Sequence, residues 1–131
     1  MIIAGAGVTL NVTADETSKP LSRITWTGLI RNGLDYLVSE GYVDKSNQRT
    51  KSAYEALKDP EVDGLLDAAN ILSSQMEKYG QYPIWLESVF GSLSQEIRYP
   101  DLLRVLKALY EREATLLTTN YDDVLEKYYC L

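Results

Sequence analysis

The sequence predicts an α/β domain: the start of a Rossmann-like parallel sheet with a large helical crossover layer, mostly helical by content. Three observations carry that expectation. The chain opens on a short apolar run, Met1-Ile2-Ile3-Ala4, which leads straight into Gly5-Ala6-Gly7; an apolar run of this length reads as a buried strand. A second short apolar run, Ala114-Thr115-Leu116-Leu117-Thr118, stands near the other end. Between the two, apolar residues recur with helical period, and parallel strands need such a crossover.

The first strand is expected at roughly residues 1–5. Its glycines let the chain turn tightly with backbone N–H groups exposed, and amides at a strand-to-helix turn cradle phosphate oxygens. A dinucleotide fingerprint would have a third glycine where this chain has Leu10, so an ordinary strand and glycine turn is the competing reading. Residues 10–24 are polar around Pro20 and read as a loop, with Lys19 and Arg23 as solvated charges.

From Trp26 the period becomes helical: Trp26, Ile30, Leu34 and Val38, with Leu37 beside them, form one stripe that Gly41 ends. Residues 42–51 read as a connection, followed by a short helix around Ala53, Tyr54 and Leu57. Asp59-Pro60-Glu61 is a helix start, with a capping acid and proline in the first turn. The helix it opens places Val62, Leu65, Leu66, Ala69, Leu72, Met76 and Tyr79 on one face and closes at Gly80. Pro83 starts another helix with Leu86, Val89, Phe90 and Leu93 inward. Pro100 starts the next, with Leu102, Leu103, Leu106, Leu109 and Tyr110 inward. The second strand follows, then a last helix from about Tyr121 through Val124, Leu125 and Tyr128, cut off at Cys130-Leu131 without a closing signal. Two strands do not make a stable sheet, so residues 1–131 are expected to be the N-terminal portion of a single domain, truncated at its C-terminus.

Composition excludes several function classes. The 131 residues carry 13 basic and 19 acidic side chains, a net charge of −6. With no basic run, duplex nucleic acid is not an expected partner. There is no histidine and one cysteine, Cys130, so neither a cysteine–histidine zinc cage nor a histidine-activated nucleophile can form, and no metal is expected. No stretch is apolar for long enough to span a bilayer, and Met1-Ile2-Ile3 lacks the basic start of a signal peptide. The expected setting is intracellular, in the reducing cytoplasm.

In open α/β sheets ligands bind beyond the carboxyl ends of the strands. Gly5-Ala6-Gly7-Val8-Thr9 leaves the first strand there, and Thr118-Thr119-Asn120-Tyr121-Asp122 leaves the second. One end offers amides for a pyrophosphate; the other offers an amide side chain and a carboxylate for hydroxyls or a carboxamide. The alternative for Asn120 and Asp122 is helix capping.

Gly5-Ala6-Gly7-Val8-Thr9 resembles the Gly-Ala-Gly-Ile/Val-Ser/Thr opening of the sirtuin superfamily. Thr118-Thr119-Asn120-Tyr121-Asp122 is similar to its Thr-Gln-Asn-Ile-Asp motif, and closer to the Thr-Thr-Asn-Tyr-Asp form of the zinc-free sirtuin-like branch found in bacterial antiphage defence proteins and large multidomain proteins. The region of Thr25-Trp26 and Leu29 resembles the Trp-x-x-Leu stretch these domains carry. The resemblance covers nearly the whole chain.

The resemblance implies NAD as substrate or ligand and, in the intact domain, hydrolysis to nicotinamide and ADP-ribose. By matching position, Gly5, Ala6, Gly7, Val8 and Thr9 form the cofactor loop, with Ala6, Gly7 and Thr9 on the pyrophosphate and ribose. Thr118, Thr119, Asn120 and Asp122 complete the cofactor site. Asn120 is the implied catalytic residue, beside the nicotinamide ribose and the attacking water, and Asp122 bonds the carboxamide. The chain departs from the family in three ways: no histidine, no zinc module or Gly-Ile-Pro-Asp-Phe-Arg-type loop, and Thr at position 119 in place of Gln. The last two point away from a protein deacylase. The first implies that this chain alone is not a complete enzyme. Two further readings are a module that senses NAD or ADP-ribose without turnover, and a helical interaction module. Fused domains or self-association are the other expected partners.

Overall fold

A computed structural model describes residues 1–130; the part of the chain-end expectation that falls on Leu131 lies outside them. The elements run β1 (Ile2–Ala4), α1 (Ala6–Val12), α2 (Trp26–Ser39), α3 (Gln48–Ala56), α4 (Val62–Lys78), α5 (Tyr82–Phe90), α6 (Asp101–Tyr110), β2 (Leu116–Thr118) and α7 (Val124–Tyr129). Short 3₁₀ turns lie at Ser22–Ile24 and Leu93–Gln95. The chain is mostly helical, with a two-stranded parallel sheet. It divides into two compact units: Met1–Leu21 together with the residues from Ser88 on, and Ser22–Glu87. Among the described residues no helix is long and apolar enough to cross a membrane.

In the strand-bearing unit, β1 pairs with β2 in parallel, Ile2 against Leu116, Ile3 against Leu117 and Ala4 against Thr118. The ladder is extended by Ile2 N–H donating to the Thr115 carbonyl at 2.8 Å and Thr119 N–H donating to the Ala4 carbonyl at 3.0 Å. Successive residues of a strand face opposite sides. Ala4 is buried, whereas the paired Ile3 and Leu117 are 63% and 47% exposed. One face of the sheet is therefore uncovered. The core of this unit gathers Val12, Val89, Leu93, Leu103, Val124 and Tyr129. The Tyr129 hydroxyl donates to the Leu103 carbonyl at 3.0 Å, tying α7 to α6. The carbonyl of Val12, which ends α1, accepts from the amides of both Arg98 (2.8 Å) and Tyr99 (3.1 Å).

In the helical unit, Thr25 caps α2: its hydroxyl accepts from the Gly28 amide at 3.2 Å and donates to the Ser22 carbonyl at 2.7 Å. Both α2 and α4 end in a left-handed glycine. Gly41 (φ 76°) donates to the Val38 carbonyl while Tyr42 donates to Leu37, and Gly80 (φ 63°) donates to Glu77 while Gln81 donates to Met76. This paired pattern satisfies the last carbonyls of a helix. Ile30, Leu34 and Leu37 of α2, Ala53 and Leu57 at α3, and Ala68, Leu72 and Met76 of α4 form the core with Trp85. The Trp85 indole N–H donates to Asn32 at 2.8 Å.

Several sequence expectations are corrected. β1 is shorter than residues 1–5, and the expected loop over 10–24 contains the second half of α1 and a 3₁₀ turn. The connection over 42–51 ends early, because the Asn47 side chain accepts from the Arg49 amide and starts α3 at Gln48. α4 begins two residues later than Asp59-Pro60 implied, with Glu61 at its N-cap. Of its expected stripe Leu72 and Met76 are buried, but Ala68 is buried as well, while Val62 is 73% exposed and Leu66 is also exposed. Trp26 is 55% exposed and Trp85 takes the buried position instead. In α6, Leu109 and Tyr110 are exposed. α7 starts at Val124, and Cys130 follows it in left-handed conformation (φ 58°), which is a closing signal of a kind.

Candidate functional site

Both strand ends that the sequence singled out lie in the strand-bearing unit and leave the sheet at the same edge. That follows from the register, since parallel Ala4 and Thr118 are the last paired residues of their strands. Beyond them the two segments meet. The Asn120 side-chain N–H donates to the Thr9 hydroxyl at 3.1 Å, and the Thr9 hydroxyl donates to the Asp122 carboxylate at 2.8 Å. The result is a one-directional relay from Asn120 through Thr9 to Asp122, across 111 and 113 residues of sequence. Thr9 is buried.

The first motif is not an open loop. Gly5 is the N-cap of α1 in extended conformation (φ −117°), and Ala6, Gly7, Val8 and Thr9 are already helical. The Val8 amide donates to the Gly5 carbonyl at 3.0 Å. The Val8 N–H is thus already engaged within the first turn of α1. Gly7 needs no positive φ. Its lack of a side chain matters for space: a Cβ at Gly7 would meet no atom within 4 Å. The backbone there borders open volume. At Gly5 a Cβ would sit 3.7 Å from the Thr119 hydroxyl, an ordinary contact.

The second motif is held by its own hydroxyls. The Thr118 hydroxyl accepts from the Asn120 amide at 3.1 Å, and the Thr119 hydroxyl lies 3.5 Å from the Ala4 carbonyl. The other Asp122 oxygen accepts from the Val124 amide at 3.2 Å at the start of α7. Asp122 thus starts α7 with one oxygen and holds the Thr9 hydroxyl with the other. Asn120 caps nothing.

Three buried oxygens here have no hydrogen-bond partner among the described residues: Asn120 Oδ1, Asp123 Oδ1 and Glu126 Oε2. A buried acceptor left alone costs roughly 1–3 kcal/mol, so each is a place where a donor would be welcome. The other Asp123 oxygen is bonded to Lys127 Nζ at 2.8 Å. The motif comparison passed over Asp123 and Glu126. Their only sequence signal is a spacing that puts them on one side of α7. The hub role of Thr9 had a signal only in the pairing of two distant motifs. Among the described residues no group of three or more Asp, Glu, His or Cys side chains is arranged to hold a metal ion.

No protein-family model matches this chain, and no solved structure matches it.

Proposed function

We propose that this chain is the NAD-binding part of a Rossmann-like, sirtuin-like domain whose intact form hydrolyses NAD to nicotinamide and ADP-ribose. The observation that carries the reading is the Asn120–Thr9–Asp122 relay. Two motifs chosen for their resemblance to one family, more than a hundred residues apart, share hydrogen bonds at the carboxyl edge of the paired strands, where α/β folds bind ligands.

The residues fit the ligand in two respects. Open volume beside Gly7 gives a pyrophosphate room to approach the backbone. The unpartnered Asn120 Oδ1 has the capacity to accept from a ribose hydroxyl or a water. In this reading Gly5, Ala6 and Gly7 border the phosphates, and Thr118 and Thr119 hold the backbone that presents Asn120. Asp122 exchanges its bond to Thr9 for the carboxamide. With no histidine in the sequence, the contribution of this chain is to bind and position; a base for the ribose is not among its residues.

The test is calorimetric titration of the purified chain with NAD. Gly7→Val places its Cβ where no atom lies within 4 Å and at a position with no positive φ, so the fold is expected to survive, which circular dichroism checks, and binding is expected to be lost. Asn120→Ala weakens binding only modestly but abolishes nicotinamide release in any longer form of the protein that shows it, as a group acting at the transition state should. NAD affinity unchanged by Gly7→Val, or no NAD binding at all, would overturn the reading.

A further inference from the structure

A second cleft, of about 340 Å³, lies wholly within the helical unit and is lined by Arg31, Lys45, Lys51, Tyr54, Glu55 and Lys58. In a chain with a net charge of −6, four of its 13 cationic side chains surround this one concavity. The architecture explains how they meet. Lys51, Tyr54 and Lys58 are spaced i, i+3 and i+7 along α3 and the turn that ends it, so they share a face. Arg31 comes from α2, which packs against α3, and Lys45 from the loop that joins them.

These charges are only partly offset by neighbouring carboxylates. Lys58 is paired with Glu55 at 2.6 Å, but both are about two-thirds exposed, and such surface pairs are weak. Arg31, Lys45 and Lys51 form no ion pair among the described residues. Asp35 accepts from the Tyr54 hydroxyl at 2.6 Å, and Asp44 accepts from the Ser46 amide and hydroxyl at 2.7 Å each; both keep their charge and offset part of the positive charge, Asp44 acting on Lys51. The bond to Asp35 holds the Tyr54 ring in the lining of the cleft, and Lys45 Nζ stands 5.3 Å from its centroid.

We propose that this cleft binds a di- or triphosphate group. Like-charged cations around a concave wall focus a field that attracts a compact polyanion, and Arg31 adds the planar fork that pairs with phosphate oxygens. The cations crowd one concavity instead of lining an extended track, which favours a small ligand over a nucleic-acid strand.

Inorganic tripolyphosphate is the probe, titrated into the purified chain by calorimetry. Lys45→Glu/Lys51→Glu is compared with Lys107→Glu/Arg112→Glu, which makes the same change in net charge outside the cleft, and circular dichroism checks that both fold. One-to-one binding that falls about tenfold or more in the cleft variant, about 1.4 kcal/mol, and is kept in the control supports the site. ATP distinguishes the sources: tighter binding than tripolyphosphate assigns a nucleotide with its base on Tyr54, and equal binding assigns the phosphates alone. No binding to the parent, equal loss in both variants, or binding to a single-stranded oligonucleotide but not to tripolyphosphate would overturn the proposal.

Discussion

The helical unit and the strand-bearing unit use their glycines in opposite ways. In the helical unit a Cβ on Gly28 would fall 1.6 Å from the Ser22 carbonyl oxygen, and one on Gly33 would fall 2.7–2.9 Å from Leu72 and Trp85. These glycines are there because nothing else fits. In the strand-bearing unit Gly5 and Gly7 face ordinary contact or open space, and neither has a positive φ. Apolar coverage divides the same way. Leu34, Leu37, Leu72 and Met76 are buried, while the strand-bearing unit leaves Ile3 and Leu117 uncovered on one sheet face. The contrast teaches that neither a close contact nor a positive φ among the described residues requires glycine in the first motif.

The sharpest way to break that comparison is to add the same methyl group to each unit. Gly28→Ala meets backbone, which cannot move aside as a side chain can, and must displace the Ser22–Ile24 turn or the first turn of α2. Its cost sits at or above the upper end of overpacking, about 3 kcal/mol. Gly5→Ala changes stability by less than about 0.5 kcal/mol, as a surface substitution does. Urea unfolding followed by circular dichroism reads both. Similar losses in the two variants would erase the distinction drawn between these glycines.

A smaller effect belongs to the relay. Thr9→Val keeps the shape and removes the hydroxyl, so Asn120 Nδ2 and the Asp122 oxygen each lose a partner at once. The expected loss is roughly 1–3 kcal/mol, the cost of stranding polar groups away from water. Thr9→Ser keeps the hydroxyl and most of the stability. Hydrogen exchange localises the change: amides near Val124, at the start of α7, lose protection in Thr9→Val. Stability equal to the parent in Thr9→Val would mean that the relay is not a structural lock.

How much of this was legible in the sequence follows the same division. Helix ends in the helical unit are local events, and Gly41 and Gly80 marked them correctly, since a left-handed residue after a helix is a matter of a few neighbouring atoms. Pro83 and Pro100 likewise sit at the first turns of α5 and α6. Which face of a helix is buried is a tertiary outcome. In α4 the expected Leu72 and Met76 are buried, but in its first half burial falls on Ala68 and leaves Val62 and Leu66 exposed; Trp26 is exposed, while Trp85 is buried and bonded to Asn32. The two strands were readable as apolar runs, but their register needed coordinates. That Gly7 and Thr9 would be helical was not, because seven residues of α1 carry no apolar period strong enough to announce a helix. The juxtaposition of Thr9 with Asn120 and Asp122 was expected from the motifs, but the direction of the relay needed coordinates.

The smallest expected effect on stability comes from the uncovered sheet face, and there the informative readout is association. Ile3 and Leu117 are register partners on that face, and β2 is a strand edge with no neighbour beyond it among the described residues. Apolar side chains beside free backbone donors and acceptors make a template for another chain. Ile3→Thr combined with Leu117→Thr keeps β-branched or strand-compatible residues while removing apolar surface. Neither side chain is buried, so the unfolding free energy should stay within about 0.5 kcal/mol of the parent. Light scattering over a concentration series should show the parent associating and the double variant less so. The two measurements separate the possible roles of the face. If stability falls by several kcal/mol, the pair supports the unit itself and the face is not idle. If neither stability nor association changes, the face is tolerated exposure without a partner. Only unchanged stability with reduced association fits a surface that another polypeptide segment covers.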